Sequence, residues 1–308
     1  MSLQLMVDTD VGVDDALALL IVLAAPEVEL LGVCGVAGNV ALNQVMRNIG
    51  VVLDVAQAPP VPIYRGCANP LIGEHRDAGG VHGEDGLGNT SFPPSRRPVA
   101  DQHAALAIVE TARAHPGMTL LTLGPLTNVA LALRLDPELP RRLGRIVVMG
   151  GTIRGQGNVT PAAEYNVWAD PEAAHIVLNS GADLWLVSWE TTLDHMIPWE
   201  RWASLVGKET PKARFASAIT RHIEGVLRHT FHLPGFTIPD PLAAVVAVMP
   251  EAVRRAEPHA VHVELCGHHC RGQTVVDYHG VSGQAPNAHV VLEIEMEAVY
   301  ALLEQALG

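Results

Sequence analysis

Four aspartates stand close together near the start of the chain, in the stretch VDTDVGVDD at residues 7–15. Two occupy alternate positions, Asp8 and Asp10, and two are adjacent, Asp14 and Asp15. Uncompensated carboxylates this close repel one another and raise each other's pKa, so a neutralising partner is expected. Oxygen ligands favour a hard divalent cation over zinc, and the surplus of carboxylates favours Ca²⁺ over Mg²⁺. The cluster therefore predicts a calcium site.

Other interpretations of the same residues were weighed. A lone aspartate at the start of a helix is favoured by the helix dipole and needs no ligand, but four in eight residues exceed that need. An EF-hand loop beginning at Asp8 fails, because Gly12 is its fifth residue and Leu19 stands where glutamate is required. An Asp-x-Asp after a strand is also typical of haloacid-dehalogenase-type phosphatases, whose first aspartate is the nucleophile. Lysine is scarce here, so this aspartyl phosphatase is the weaker alternative.

The flanking segments place the aspartates at the end of a strand. Apolar patterns predict a strand at residues 3–7 and a helix at 14–24, so the cluster lies at the carboxyl end of the first strand, where open α/β sheets bind ligands. Further predicted elements are a strand at 28–36, a helix at 42–56, strands at 119–123, 145–149, 184–187, 260–265 and 288–292, and a closing helix at 295–307. This alternation predicts an α/β fold with an open, mostly parallel central sheet, a Rossmann-like core and helices on both faces. No linker divides the chain, and we interpret residues 1–308 as a single domain.

Composition limits the class of partner. The formal net charge of −13 argues against nucleic acid and anionic membrane, which basic patches bind, and favours a small-molecule substrate. The apolar run at residues 16–25 is too short to span a bilayer and follows acidic residues, unlike a signal peptide. We therefore expect a cytoplasmic protein. Two loops rich in glycine and proline, at 66–98 and 150–161, are long enough to be functional.

The four cysteines are too few for a disulfide framework in a chain of this length. The stretch from Cys266 to Cys270 includes His268 and His269, which are zinc-like ligand types. A structural zinc site needs a second ligand pair, and none with recognisable spacing follows, so zinc is disfavoured.

Blocks of sequence along nearly the whole chain resemble the inosine-uridine preferring nucleoside hydrolases. The opening block is DTDVGVDD at 8–15. The others follow in the expected order: AGN at 37–39, HGEDGLG at 82–88, LGPLTN at 123–128, MGG at 149–151, GNVTPAAEYN at 157–166, DPEAA at 170–174 and DPLA at 240–243. A short Asp-x-Asp alone would be weak, whereas the ordered set is specific.

The resemblance implies a nucleoside hydrolase-like α/β domain with one tightly held Ca²⁺. It implies hydrolysis of the N-glycosidic bond of ribonucleosides to ribose and free base, a reaction of purine and pyrimidine salvage, by a homodimer or homotetramer. Base preference is left open, because base contacts lie in variable loops. An alternative from another class is a ribonucleoside-binding protein with weak or lost turnover.

The resemblance also implies roles for individual residues. The calcium ligands would be Asp10, Asp15, Asp240 and the backbone carbonyl of Leu126, with Asp10 as the base that activates water. The substrate would be bound by Asp14 and Asn166 at the ribose 2′-hydroxyl, Asn39 and Asp240 at the 3′-hydroxyl, Asn158 and Glu164 at the 5′-hydroxyl, and Met149. Taken singly, several of these residues have plainer explanations as turn residues, surface acids or helix caps.

One departure concerns the acid that protonates the leaving base. Several family members carry histidine immediately before the last metal aspartate, where this sequence has Pro239. Proline offers no side-chain proton, so the role is vacant or moved. His82 is the best substitute, and His229 and His232 are weaker candidates. The tryptophans are expected to serve packing rather than base stacking: Trp185, Trp189, Trp199 and Trp202.

Overall fold

A computed structural model describes residues 2–308, in which strands and helices alternate along most of the chain. The strands are β1 (Leu3–Thr9), β2 (Val28–Gly35), β3 (Ile63–Arg65), β4 (Ala100–His103), β5 (Thr119–Thr122), β6 (Arg145–Met149), β7 (Leu184–Val187), β8 (Ile197–Pro198), β9 (Gly235–Phe236), β10 (Val253–Val263), β11 (Thr274–Asp277) and β12 (Ala288–Ile294).

The helices mostly follow strands and return the chain to the next one. They are α1 (Val13–Ala24), α2 (Leu42–Val55), α3 (Gly79–His82), α4 (Ala104–Ala114), α5 (Thr127–Leu135), α6 (Leu139–Arg142), α7 (Tyr165–Ala169), α8 (Pro171–Leu178), α9 (Trp189–Asp194), α10 (Trp199–Val206), α11 (Pro211–His229), α12 (Pro239–Val248) and α13 (Met296–Ala306).

Ten strands form one sheet in the order β11-β10-β12-β7-β6-β5-β1-β2-β3-β4. Eight neighbours, from β12 to β4, run parallel, and β10 and β11 extend one edge in antiparallel pairing. The chain runs outward from β1 in both directions, since β2, β3 and β4 lie on one side of it and β5, β6 and β7 on the other. Such a reversal leaves a crevice outside the carboxyl ends of β1 and β5, where ligands bind in open α/β sheets.

Helices cover both faces of the sheet and bury it from both sides. Successive side chains of β1 alternate between the faces, so Leu5 and Val7 pack with α1, α2 and α12, whereas Met6 packs with α4, α5 and α8. A central strand buried on both faces is apolar at successive positions, as the parallel strands of this chain are.

Helices α1 and α12 are enclosed by the core over ten consecutive residues each. Their polar residues are confined to the first turn, where α1 carries Asp14 and Asp15 and α12 carries Asp240. A helix that is apolar all round is stable only where neighbours surround it. Both helices therefore deliver aspartates from a rigid, buried support.

The sheet and most of its predicted elements are confirmed. The strands predicted at 145–149 and 184–187 match β6 and β7 residue for residue, and the other predicted boundaries at the amino-terminal end agree within two residues. Strand β10 begins at Val253 rather than at 260, because charged residues interrupt the apolar pattern of its exposed first half. The interpretation of residues 1–308 as one domain stays a prediction, which the continuity of the sheet supports.

The two loops predicted to be functional are long in the structure. The first contains only the short helix α3, and residues 150–161 contain no helix or strand. Among the helices of residues 2–308, none combines the length and apolar character that crossing a membrane requires.

Candidate active site

The turn between β1 and α1 is fixed by Asp15. Its Oδ1 accepts a hydrogen bond from the Thr9 hydroxyl at 2.5 Å, and its Oδ2 accepts from the Gly12 backbone N–H at 2.8 Å. The second contact is half of a capping box, in which the third helical residue satisfies the N–H of the residue before the helix. The start of α1 and the orientation of the Asp15 carboxylate are therefore set together.

Asp10 lies between the backbones of two glycines. A Cβ at Gly38 would lie 2.0 Å from Asp10 Oδ2, and a Cβ at Gly124 would lie 2.7 Å from Oδ1. The backbone N–H of Asn39 donates a hydrogen bond to Oδ2 at 2.7 Å. The residues after β2 and β5 thus close around this carboxylate, and only glycine leaves room for it.

The first turn of α12 brings Asp240 to the same place. Carboxylate oxygens of Asp14, Asp15 and Asp240 lie within 4.8 Å of one another, close enough to share one metal ion. Within the described residues, Oδ1 of Asp10 and Oδ1 of Asp14 are buried without a hydrogen-bond partner. Buried acceptors are normally paired. Orphaned oxygens in a compact group of carboxylates fit a divalent cation held by oxygen ligands.

Burial raises the pKa of every carboxyl group in this cluster. The pKa of Asp14 is about 6, and those of Asp10 and Asp240 lie well above the ordinary range. Desolvation is the largest cause in each case, and for Asp240 the charge of Asp14 is the next. The pKa of Asp15 is raised by the same two causes. A bound cation would reverse this balance and favour the ionised forms.

Asp8, at the same end of β1, faces the other side of the sheet. It pairs in register with Cys34, a residue of the core on that side, and its Oδ1 accepts a hydrogen bond from Asn128 Nδ2 at 2.7 Å. Burial raises the pKa of Asp8 to about 7. Three of the four aspartates of the opening block therefore form the cluster, and Asp8 supports it from behind.

Three asparagines present one side of their amides to a cavity beside the cluster. Asn39 Nδ2 donates to a carboxylate of the cluster at 3.1 Å, and Asn166 Nδ2 donates to the Leu123 carbonyl at 2.8 Å, which leaves both Oδ1 atoms as acceptors. Asn158 is reversed, because its Oδ1 accepts from the backbone N–H of Tyr165 at 2.9 Å and its Nδ2 remains as a donor. The cavity is thus offered two acceptors and one donor.

Glu164 is the N-cap of α7 and lines the same cavity. Its carboxylate accepts hydrogen bonds from the backbone N–H groups of Gly151 at 2.7 Å, Asn166 at 2.8 Å and Val167 at 3.2 Å. Burial raises its pKa to about 7 despite these three donors. Glu164 therefore joins the strand-end loop after β6 to the start of α7.

The cavity has a volume of about 270 Å³ and two kinds of lining. The carboxylates and amides line one part. An apolar part is formed mainly by α11 and its neighbours, including Val81, Trp189, Ile223, Leu227 and Phe231. A concave site that combines apolar walls with a few placed polar groups is typical of small-molecule binding.

Most of the predicted site residues come together in this cavity. Its lining includes Asp14, Asn39, His82, Met149, Asn158, Glu164, Asn166 and Asp240. Asp10 and Asp15 are connected to it through their hydrogen bonds with Asn39. Leu126 is the N-cap of α5, and its carbonyl accepts a helical hydrogen bond from Ala130 at 2.9 Å. A role of that carbonyl as a metal ligand stays a prediction.

His82 lies in the cavity wall, with its ring nitrogen Nδ1 3.5 Å from Asp14 Oδ1. Nδ1 accepts a hydrogen bond from the Val13 backbone N–H at 3.2 Å, so this nitrogen carries no proton. Burial lowers the pKa of His82 to about 4, and the charge of Asp15 only partly opposes this. The ring is neutral at neutral pH, which disfavours the imidazolium form as the leaving-group acid. His229 and His232 are exposed and lie outside the cavity lining.

Several lining residues had no predicted role. Tyr165 lies within a block that carries the resemblance, and its hydroxyl donates to the carbonyl of Gly38 at 2.6 Å. Trp189 lines the cavity, whereas the other three tryptophans pack elsewhere, as expected; Trp202, for example, stacks on Phe236 at 4.0 Å between ring centroids. The apolar residues of α11 could not be assigned from sequence, because their spacing is equally that of a core-facing helix.

The cysteine and histidine stretch near the carboxyl terminus does not form a metal cluster. Cys266 is exposed and Cys270 half-buried. Within residues 2–308, the only group of three or more ligand-type side chains that meets the geometry for a metal ion is the aspartate group of α1 and α12. The disfavoured zinc hypothesis therefore gains no support.

An open parallel sheet with a carboxylate cluster at its switch point, beside a cavity lined by amides, defines the class: an α/β hydrolase of a small polar substrate. Comparison with known proteins narrows this class. Residues 5–301 match the family described as inosine-uridine preferring nucleoside hydrolase.

Individual relatives agree over essentially full length. The inosine-uridine preferring nucleoside hydrolase of Crithidia fasciculata is 33% identical over 307 residues, covering 99% of this chain and 97% of the relative. A pyrimidine-specific ribonucleoside hydrolase of Salmonella schwarzengrund is 34% identical over 311 residues, covering 100% and 99%. A solved inosine-guanosine nucleoside hydrolase superposes with a TM-score of 0.92 at 34% identity, covering 100% and 99%. The chain belongs to the inosine-uridine preferring nucleoside hydrolase family and is an enzyme of that kind.

Proposed function

We propose that this enzyme hydrolyses the N-glycosidic bond of ribonucleosides to ribose and free base, with Ca²⁺ as its metal. The observation that carries the proposal is the buried carboxylate cluster with two orphaned oxygens, which opens on a cavity whose amide groups match the hydroxyls of a ribose. Family membership supports the class of reaction, and the donor set supports the metal.

The proposed metal ligands are Asp10, Asp15, Asp240 and the carbonyl of Leu126. An all-oxygen set with several carboxylates is the donor chemistry that Ca²⁺ prefers. Asp14 lies as close to Asp15 and Asp240 as a ligand would, but we assign it to the substrate because it lines the cavity. Bound Ca²⁺ would supply positive charge against the carboxylates and open ligand positions for ribose hydroxyls and water.

The ribose would be held by the polar part of the cavity. The Oδ1 acceptors of Asn39 and Asn166, together with Asp14 and Asp240, suit the 2′- and 3′-hydroxyls, which donate hydrogen bonds to them. At the other end of the sugar, the Asn158 Nδ2 donor and the Glu164 carboxylate suit a 5′-hydroxyl, which both accepts and donates. Fixing the sugar in this way places its C1′ against the catalytic groups.

Asp10 is the proposed general base. Its Oδ1 is unpartnered within the described chain and is free to take a proton from water, while the Asn39 N–H holds Oδ2. Attack at C1′ passes through an oxocarbenium-like sugar, which neighbouring carboxylates stabilise. The base accepts a proton as the C1′–N bond breaks and the electron pair moves onto the leaving nitrogen.

The leaving base would lie against the apolar wall of α11. Pro239 provides no side-chain proton at this wall, and His82 is the ionisable side chain nearest to Val13 and Asp14 at its edge. His82 stays the candidate acid from the sequence, but as a neutral ring it could donate only from Nε2. The names of the relatives include pyrimidine-specific and inosine-guanosine enzymes, so family membership leaves the base open.

The phosphatase alternative loses its main support. Asp8, which would be its nucleophile, is fully buried, faces the other side of the sheet and is not part of the cavity lining. The two lysines of the chain, Lys208 and Lys212, lie on or beside α10 and α11 and also lie outside that lining. For the assembly we expect a homodimer or homotetramer in the cytoplasm.

Incubation of purified protein and CaCl₂ with a panel of ribonucleosides, followed by assay of free ribose, tests the proposal. Ribose release that chelation abolishes, with loss of roughly 10⁴-fold in kcat/KM for 2′-deoxynucleosides, is expected because buried groups that bind a hydroxyl would be left unpaired. Nucleoside-dependent thermal stabilisation without ribose release would indicate a binding protein instead. Phosphate release from nucleotides would indicate the phosphatase.

A further inference from the structure

The loop between β6 and α7 carries Asn158 at its tip and leads into Glu164, the two residues proposed to hold the 5′ end of the ribose. Residues 150–161 contain no helix or strand, so their shape depends on side chains from other elements. Around the tip, the backbone N–H groups of Asn158 and of Gly157 are bound by the carbonyls of Ala163 and Pro161. The tip is thus a compact turn whose placement is set by the residues before it.

Glu190, in the first turn of α9, binds the segment that precedes this turn. Its Oε2 accepts a hydrogen bond from the backbone N–H of Ile153 at 2.8 Å. Its Oε1 accepts from the N–H groups of Arg154 at 2.7 Å and Gln156 at 3.0 Å. The side chain is fully buried, and one carboxylate therefore orders four consecutive residues that end two positions before Asn158.

The edge strand β11 binds the same loop from the other side. The Thr274 hydroxyl accepts a hydrogen bond from the Thr152 backbone N–H at 2.6 Å and donates to the Thr152 carbonyl. The Tyr278 hydroxyl donates to the Ile153 carbonyl at 2.7 Å. Two elements far apart in the sequence thus clamp the loop immediately before Asn158.

We propose that Glu190 is a positioning residue for the ribose 5′-hydroxyl, acting through the loop to place Asn158 and Glu164. This inference rests on the proposed function. Glu190 does not line the cavity, so it touches no substrate and acts only through the backbone it binds. A buried carboxylate is costly unless its oxygens are paired, and here three N–H donors supply the pairing. The loop and Glu190 consequently hold each other in one arrangement.

Glu190→Gln tests the inference, since it keeps the size of the side chain but turns one acceptor into an N–H donor facing backbone N–H groups. We expect kcat/KM for uridine or inosine to fall about 10- to 100-fold, the scale of loss caused by a small misplacement of a binding group. For the matching 5′-deoxynucleoside, the fall relative to wild type should be threefold or less, roughly, because the misplaced contact is already absent. Adding Glu190→Gln to Asn158→Ala should cost little more than Asn158→Ala alone.

Asp194→Asn is the matched control. Asp194 lies on the same helix and binds the same loop, but through an exposed ion pair with the Arg154 guanidinium at 2.8 and 3.0 Å rather than through backbone N–H groups. Because exposed ion pairs contribute little, this variant should keep the wild-type kcat/KM for both substrates. An equal loss in the control would overturn the special role of the buried carboxylate.

The outcomes separate the inference from the proposed function. Equal losses on the 5′-hydroxylated and 5′-deoxy substrates would make Glu190 a residue of general stability and overturn the inference, with ribose release by the wild type still standing. No ribose release by the wild type from any nucleoside would overturn both. If Glu190→Gln does not fold, Thr274→Val, which removes the opposite anchor, must show the same dependence on the 5′-hydroxyl.

Discussion

The carboxylates of the site differ in how many of their oxygens the protein satisfies. Asp15 is bound by three donors, from Thr9, Gly12 and Asn39, and serves the fold as well as the site. Asp10 and Asp14 each keep one buried oxygen without a partner among the described residues. Leaving a buried acceptor unpaired costs about 1–3 kcal/mol, more for a charged group. The cost falls on the residues proposed to meet the metal, the water and the ribose.

Asp10→Asn is expected to abolish turnover while the fold persists. The amide keeps an oxygen for the Asn39 N–H but cannot take a proton from water, a role worth roughly 10²–10⁴-fold in rate. It also weakens the metal site, so the gain in melting temperature on adding CaCl₂ should shrink relative to wild type. Ribose assays and thermal melts with and without chelator measure both effects.

Asp136→Asn serves as the control, because Asp136 is a buried aspartate bound by Arg113 and Arg142 on another part of the surface. It should lower the melting temperature yet retain turnover per folded molecule. Wild-type turnover by Asp10→Asn would remove Asp10 from the mechanism.

His82→Ala distinguishes two roles for the histidine in the cavity wall. Because His82 is buried, has a pKa of about 4 and accepts a hydrogen bond at Nδ1, we expect it to position substrate as a neutral ring. The variant should then lose activity on uridine and on p-nitrophenyl riboside to a similar extent, since the second substrate has a leaving group that needs no proton. A loss confined to uridine would show that His82 is the general acid after all.

At the scale of elements, the sequence predicted what local pattern determines. Strand β6 and the aspartates that open α1 were predictable, because apolar runs and an acidic helix start are local signals. The orientation of Asp8 was not, since alternation along β1 shows its face only when the neighbouring strands are known. The hydrogen bonds from Glu190 to residues 153–156 join segments 34 to 37 positions apart, and no pattern near Glu190 predicts them.

The turn after β2 illustrates a constraint that belongs to the element rather than to a functional group. A Cβ at Gly38 would fall 2.0 Å from Asp10 Oδ2, on a side chain that the Asn39 N–H holds in place. We expect Gly38→Ala to destabilise the protein by about 1–3 kcal/mol through overpacking and to lower turnover by displacing Asp10. Urea unfolding and ribose assays measure the two effects.

Gly225→Ala is the matched control within α11. A Cβ there meets nothing within 4 Å, and alanine favours a helix over glycine by about 0.5–1 kcal/mol, so this variant should be more stable than wild type. Normal stability and turnover in Gly38→Ala would mean that the turn tolerates a side chain and that the position of Asp10 does not depend on it.

For the whole molecule, topology concentrates acidic groups where the core is deepest. The crevice between β1 and β5 receives aspartates from α1 and α12, and both helices are enclosed by other helices. The chain already carries a formal net charge of −13, so no excess of basic residues offsets this local charge. Stability of the metal-free protein should therefore depend on the protonation of these buried carboxyl groups.

The metal-free protein is expected to lose stability as pH rises from 5 to 8. In the folded state the pKa values of Asp8 and Glu164 are about 7 and that of Asp14 is about 6, whereas unfolded carboxyl groups titrate near ~4. The folded state thus binds protons more tightly, and the stability this confers is full below pH ~4 and is lost as pH rises through the folded pKa values. His82, lowered to about 4, acts in the opposite direction, but it is one group against several.

Thermal melts in chelator between pH 5 and 8 measure this loss, which should lower the melting temperature by roughly 5 °C or more. Added CaCl₂ should flatten the pH dependence, because a cation favours the ionised forms of Asp14 and its neighbours in the cluster. Glu164→Gln should flatten it partly in chelator, whereas Asp54→Asn, at an exposed carboxyl group whose pKa is lowered, should leave the slope over this range unchanged. A melting temperature that rises with pH in chelator would contradict the proposed burial of protonated carboxyl groups around an oxygen-lined metal site.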